Sequence, residues 1–282
     1  MGRMYEALRR LEREHRGPGV SAPGPAQEVN MLSGVLREPV EVEGTRSAKV
    51  QVSQESRLVA LNDPNSLGAE KFRALVTRLE NLRIQRKIRS LQIISGKINE
   101  GKSLVSANLA VTFAKHGGSK VLLIEGDLHR PTLATLLGFT ESTGLVDWWS
   151  TSAIEISPSL YRLNDLPLWF LSAGAHCDQP SEILQSSRFA GEFTKLRASF
   201  DWIVVDSTPM LPTVDANLWS RLVDGSLLVV REGIASVKTL KKGLEALDNP
   251  KLVGIVLNDA SEFDRINYAE QYYGSRQKIS GS

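Results

Sequence analysis

The chain has 282 residues, 41% hydrophobic and 23% charged, with a formal net charge of +2. That balance suits a globular chain with room for one sizeable domain plus tails, and it excludes a disordered polyelectrolyte or a global field favouring nucleic acid. One cysteine, Cys177, excludes an internal disulfide framework; with no apolar run of membrane-spanning length and no secretory leader pattern, a cytoplasmic setting is expected.

Residues 1–16 contain an amphipathic helical stretch, with Met4, Leu8 and Leu11 on one stripe and Arg9, Arg10 and Arg13 elsewhere. It either docks on its own domain or touches a partner or a membrane. Residues 17–64 are rich in Gly, Pro, Ser and Glu without periodicity, which predicts a flexible linker. A helix is predicted over 67–82, burying Phe72, Leu75, Leu79 and Leu82. Its Arg73, Arg78 and Arg83 are either solvated or meet another subunit. From Ser90 onward, strand-like runs at 91–94, 121–124, 168–171, 202–205, 227–230 and 253–257 alternate with helical patterns near 103–116, 181–198, 213–222 and 236–248. The strand runs are nearly continuous Val, Ile and Leu, as expected where both faces are covered. The alternation predicts an α/β fold: a doubly wound, mostly parallel sheet of P-loop NTPase type with helices on both faces, over 65–262. Ligand then binds at the carboxyl ends of the strands. Residues 263–282 form a polar tail carrying Tyr268, Tyr272 and Tyr273, three of the five tyrosines.

The first of those strands runs into Gly96-Lys97-Ile98-Asn99-Glu100-Gly101-Lys102-Ser103, which fits G-x-x-x-x-G-K-[ST]. Strand, glycine loop and helix together aim a helix N-terminus and unpaired N–H groups at an anion. Gly96, Lys97, Asn99, Glu100, Gly101, Lys102, Ser103 and Leu104 are the expected nucleotide-binding set. Lys102 reaches the β- and γ-phosphates and Ser103 offers a hydroxyl to Mg²⁺. Asn99 stands where many such loops have glycine, and asparagine tolerates left-handed backbone better than most residues. Two further strands end in acid: 121–124 runs into Glu125-Gly126-Asp127-Leu128-His129-Arg130-Pro131, and 202–205 into Asp206-Ser207-Thr208-Pro209. Both face the edge that carries the loop. Asp127 and Asp206 are candidate metal ligands, against the plain reading of loop or cap residues, and Glu125 is the candidate general base. His176 and Cys177 lack metal-ligand spacing.

Taken together, these motifs resemble those of the bacterial tyrosine kinases (BY-kinases) of polysaccharide assembly, within the deviant-Walker ATPases that also include partition and division-site proteins. The resemblance covers about residues 66–275. It extends to Met4-Tyr5-Glu6-Ala7-Leu8, Gln179-Pro180-Ser181-Glu182-Ile183-Leu184, Thr213-Val214-Asp215-Ala216 and Val256-Leu257-Asn258. It implies an ATP- and Mg²⁺-dependent kinase that phosphorylates Tyr268, Tyr272 and Tyr273 on a neighbouring copy. Asn258 would lie beside the purine. The implied partners are further copies of the chain and a membrane-bound polysaccharide co-polymerase that draws it to the inner face of the cell membrane; no nucleic acid is expected.

Four positions depart from the family pattern. Its Asp-x-Asp-x-Arg is here Glu125-Gly126-Asp127-Leu128-His129, and its Asp-Thr-Pro-Pro is Asp206-Ser207-Thr208-Pro209. Val76 replaces the last arginine of the oligomerisation pattern begun by Glu70 and Arg73. Lys97 stands where dimeric partition-type ATPases carry a lysine that reaches the partner's nucleotide; an ordinary exposed loop lysine is the other reading. A partition-type switch and a nucleotide-binding module without turnover are therefore the rival functions.

Overall fold

The computed structural model describes residues 42–151, 155–164, 166–211, 214–247 and 251–260. The N-terminal stretch 1–16 and the tyrosine-bearing tail 263–282 lie outside the described residues. Strands β1 (Arg46–Ala48), β2 (Ser90–Ser95), β3 (Val121–Glu125), β4 (Leu160–Leu163), β5 (Leu168–Leu171), β6 (Trp202–Asp206), β7 (Gly225–Arg231) and β8 (Leu252–Asn258) form one sheet. Their order is β1-β4-β5-β3-β6-β2-β7-β8, and every neighbouring pair is parallel except β4 with β5.

Successive side chains of a strand point to opposite faces, so a central strand must be apolar at every position. In β3, Val121 and Leu123 enter one core while Leu122 and Ile124 enter the other. Trp202 and Val204 of β6 divide from Ile203 and Val205 in the same way. The first core is closed by α1 (Val59–Asn62), α2 (Leu67–Arg86) and α3 (Lys102–Gly117), with Phe113 stacked on Trp202 at 4.4 Å between ring centroids. The second is closed by α5 (Leu145–Ser150), α6 (Pro180–Gln185), α7 (Ser187–Ser199) and α8 (Asp215–Leu222); the short α4 (Leu133–Leu136) follows β3. Near β7, α9 (Val237–Glu245) adds Leu240 and Leu244 against Leu228 and Val230. Each large aliphatic side chain so buried contributes about 1.5–3 kcal/mol.

Three expectations are corrected. The linker reading of 17–64 fails in its second half, so the folded unit begins well before residue 65. There β1 pairs with β4, Val50 N–H donates to Asn164 Oδ1 at 2.8 Å, and Ala60 N–H donates to Asn108 Oδ1 at 3.0 Å. Its apolar residues Val50, Val52, Leu58 and Leu61 join the first core, but in groups too short to show a period. The single helix expected over 181–198 is two, because Ser186 is extended (φ −73°, ψ 141°) and its hydroxyl accepts from Phe189 N–H to start α7. Strand β4 was not expected: Leu-Tyr-Arg-Leu has neither alternation nor a continuous apolar run, and it is held by antiparallel pairing with β5. The predicted helix at 67–82 continues to Arg86, with Ser66 Oγ accepting from Ala69 N–H at its start. Val76, at the departing arginine position, is buried in the first core. Among the described residues, no helix is long and apolar enough to cross a membrane.

Candidate active site

β2, buried along its whole length, delivers the chain to the loop, and α3 leaves it at Lys102. Asn99 (φ 63°) and Gly101 (φ 90°) are both left-handed. Asparagine pays less than most residues for that conformation, and a side chain at Gly101 would also run into the amide of Asn258. The Glu100 carboxylate is buried behind the loop. Its Oε2 accepts from Lys97 N–H at 2.7 Å and its Oε1 from Arg231 N–H at 3.3 Å. Burial raises its pKa above the ordinary glutamate value, against these donors and the charge of Lys102. The Lys97 side chain is exposed. Asn258, expected beside the purine, donates its side-chain N–H to Glu100 O at 2.9 Å.

The carboxylates meet because β3 and β6 are neighbours, with Glu125 paired to Asp206 in register and Gly126 N–H donating to Asp206 O at 2.8 Å. Asp206 is 1% exposed and accepts from Ser106 Oγ at 3.1 Å. Burial pushes its carboxyl up to about 6; Lys102, Ser103 and Ser106 pull it down, and Asp127 adds to the rise. Asp127 is half-buried and accepts Arg130 N–H at 3.1 Å. Burial raises its pKa too, opposed by the Arg130 amide, Lys102 and His129. Lys102, itself 8% exposed, is the cation these acids share.

Glu125 does not join this pair as a free base. It is fully buried, with Oε1 accepting from Leu133 N–H (2.6 Å) and Ala134 N–H (3.2 Å). Oε2 accepts from Ala173 N–H (3.0 Å) and Ser172 Oγ (3.3 Å). A carboxylate with four donors ties β3 to the start of α4 and the end of β5, and its lone pairs are committed.

The Ser103 hydroxyl lies 2.9 Å from Thr132 Oγ1. His129 Nε2 lies 2.9 Å from Asp215 Oδ2, whose side chain is 2% exposed. Oxygen donors from one hydroxyl and two carboxylates suit a hard divalent cation. Among the described residues, no group of three or more His, Cys, Asp or Glu forms a metal cage. Such a set fits Mg²⁺ completed by phosphate oxygens and water.

Residues 91–278 match the family model described as the CobQ/CobB/MinD/ParA nucleotide binding domain. The chain is 31% identical over 224 residues to tyrosine-protein kinase YwqD of Bacillus subtilis, covering 79% of this chain and 93% of that one. This chain belongs to the bacterial tyrosine-kinase family. It is also 31% identical over 229 residues to the succinoglycan biosynthesis transport protein ExoP of Rhizobium meliloti, across 77% of this chain and 28% of ExoP. Among solved structures it resembles the chimerical protein CapA2B2, with a TM-score of 0.68 and 27% identity over 76% of this chain and 94% of that one.

In this BY-kinase-family chain the structure explains the first departure. Glutamate's extra carbon carries the Glu125 carboxylate to the amides of Leu133, Ala134 and Ala173. The structure also adds residues that the motifs do not single out. Thr132 beside Ser103 and Asp215 behind His129 each lie against a partner distant in sequence. Only Asp215 carried a signal, as part of the Thr213-Val214-Asp215-Ala216 match.

Proposed function

We propose that this chain is an ATP-dependent protein tyrosine kinase that phosphorylates Tyr268, Tyr272 and Tyr273 on a neighbouring copy and so regulates polysaccharide polymerisation or export. The observation that carries the reading is the convergence of Lys102, Asp127 and Asp206 on one sheet edge beside the left-handed loop. The clustering of three of five tyrosines within the last 15 residues supports the choice of acceptor.

The β- and γ-phosphates of ATP lie in the loop, with Lys102 offsetting their charge. Ser103, Asp127 and Asp206 would hold Mg²⁺, which when bound neutralises charge on the β- and γ-oxygens. Transfer forms a bond between the phenolic oxygen and the γ-phosphorus and breaks the bond to the β–γ bridging oxygen, releasing ADP. The phenolic proton passes to Asp127, whose carboxylate accepts the Arg130 amide, whereas that of Glu125 is taken up by four donors. Glu125 acts as the brace that holds the neighbouring segments. A membrane-bound polysaccharide co-polymerase activates the kinase at the inner face of the membrane, and copies of the chain assemble to present tails to one another.

One observation favours a second reading: the exposed Lys97 side chain is free to approach another copy, as in a partition-type switch. Incubation with labelled Mg-ATP separates the two. The kinase reading expects phosphotyrosine in the parent and none in Lys102→Met. Absence of phosphotyrosine even with a co-polymerase cytoplasmic tail, together with ATP hydrolysis that requires Lys97, would replace it with the switch.

A further inference from the structure

A planar trans peptide points the C=O of one residue and the N–H of the next in opposite directions. Holding a loop carbonyl therefore aims the following amide. Two consecutive carbonyls of the phosphate loop are held in this way. Asn258 Nδ2 donates to Glu100 O at 2.9 Å, and Arg231 Nη1 lies 3.5 Å from Asn99 O. The amides thus turned to the opposite side are those of Gly101 and Glu100, both inside the stretch whose N–H groups must face an anion. The Lys97 amide is spent on the Glu100 carboxylate, so it is not among the amides that face phosphate.

The clamp extends to the end of β8. Asp259 Oδ2 holds Arg231 Nη2 at 2.6 Å, and Asp259 itself is left-handed, with φ 52°. The tyrosine-bearing segment follows directly in the sequence. Gly101 belongs to the same device, since any side chain there would displace the Asn258 amide.

We propose that Arg231 and Asn258 are positioning residues that aim the Glu100 and Gly101 amides at the phosphates, and that Asp259 couples the root of the C-terminal segment to that clamp. Asn258 then acts on phosphate geometry through the carbonyl it holds. The inference rests on the loop binding phosphate, as in the proposed function, but not on tyrosine transfer; its readout is binding alone.

The test measures affinity of the full chain for ATP, GTP and inorganic tripolyphosphate, the last having no base to read. Asn258→Ala and Arg231→Ala should each weaken all three by a similar factor of about ten, the size of one net hydrogen bond. Arg231→Lys, which keeps a donor, should recover most of the loss. Asp259→Ala breaks a part-exposed pair and should weaken all three by about twofold to threefold with an unchanged melting temperature, so it serves where the larger changes disturb folding. Loss of ATP affinity with tripolyphosphate unaffected in Asn258→Ala would restore a base-reading role and overturn the proposal. Unchanged affinities in Arg231→Ala and Asp259→Ala, or tripolyphosphate that fails to compete with ATP in the parent chain, would overturn it as well.

Discussion

The loop after β2 and the acidic turn after β3 leave the same sheet edge, yet they are built on opposite principles. The loop works through backbone: its essential features are the positive φ of Asn99 and Gly101 and the direction of successive amides. The turn works through side chains in contrasting surroundings. Two residues apart, Glu125 is saturated by four donors while Asp127 is half-buried beside Lys102. A backbone site tolerates many side chains and demands a few special conformers. A side-chain site demands particular surroundings, and the same carboxylate becomes a brace or a reactive group according to them.

Removing the cation between the two regions should have the largest effect. Lys102→Met is expected to lower phosphoryl transfer by about 10²–10³-fold, the usual loss when a preorganised electrostatic contact to a transition state is deleted. Single-turnover transfer measures it.

Asp206→Asn sharpens the role of burial. The folded pKa of about 6 lies above the ordinary 3.8, so folding favours the protonated carboxyl. The stabilisation from that proton is full below about 3.8 and is lost as pH rises through about 6. Asparagine removes the buried charge. The nucleotide-free variant should therefore exceed the parent by up to about 3 kcal/mol at pH 8 and match it near pH 4. Denaturant melts at the two pH values check the sign, and a variant less stable than the parent at pH 8 would contradict it.

Glu125→Asp breaks the comparison directly. Shortening the side chain should strand one or more buried amides and cost about 1–3 kcal/mol in thermal or denaturant unfolding, with no gain in transfer rate. A faster enzyme of unchanged stability would return Glu125 to the role of base. The smallest effect is expected at Lys97, where alanine should change transfer by less than about twofold, within the range of a surface substitution. Loss of ATP turnover in that variant would favour the partition-type reading.

Legibility followed the same division. The fold's central strands were visible because each carries apolar residues on both faces; Val121 to Ile124 is the clearest case. Asn99 was legible as a left-handed position because one residue type in one motif slot carries that information. Strand β1, strand β4 and the break at Ser186 were not legible, since each depends on pairing or capping with little periodicity of its own. Glu125 was legible at a strand end, but the four donors that hold its carboxylate were not. Its four partners lie 8 to 48 residues away, and no local pattern announces them. The clamp of Asn258 and Arg231 on the loop joins strands β7 and β8 to residues more than 130 positions earlier.

The most direct test of the central claim mixes two variants of different mass. One is Lys102→Met with its tyrosines intact; the other is catalytically whole but carries Tyr268→Phe, Tyr272→Phe and Tyr273→Phe. After incubation with Mg-ATP and a co-polymerase cytoplasmic tail, mass spectrometry should find phosphate on Tyr268, Tyr272 or Tyr273 of the Lys102→Met chain, and none when that chain is incubated alone. Phosphotyrosine that forms in the parent protein but never passes between the mixed variants would contradict transfer to a neighbouring copy.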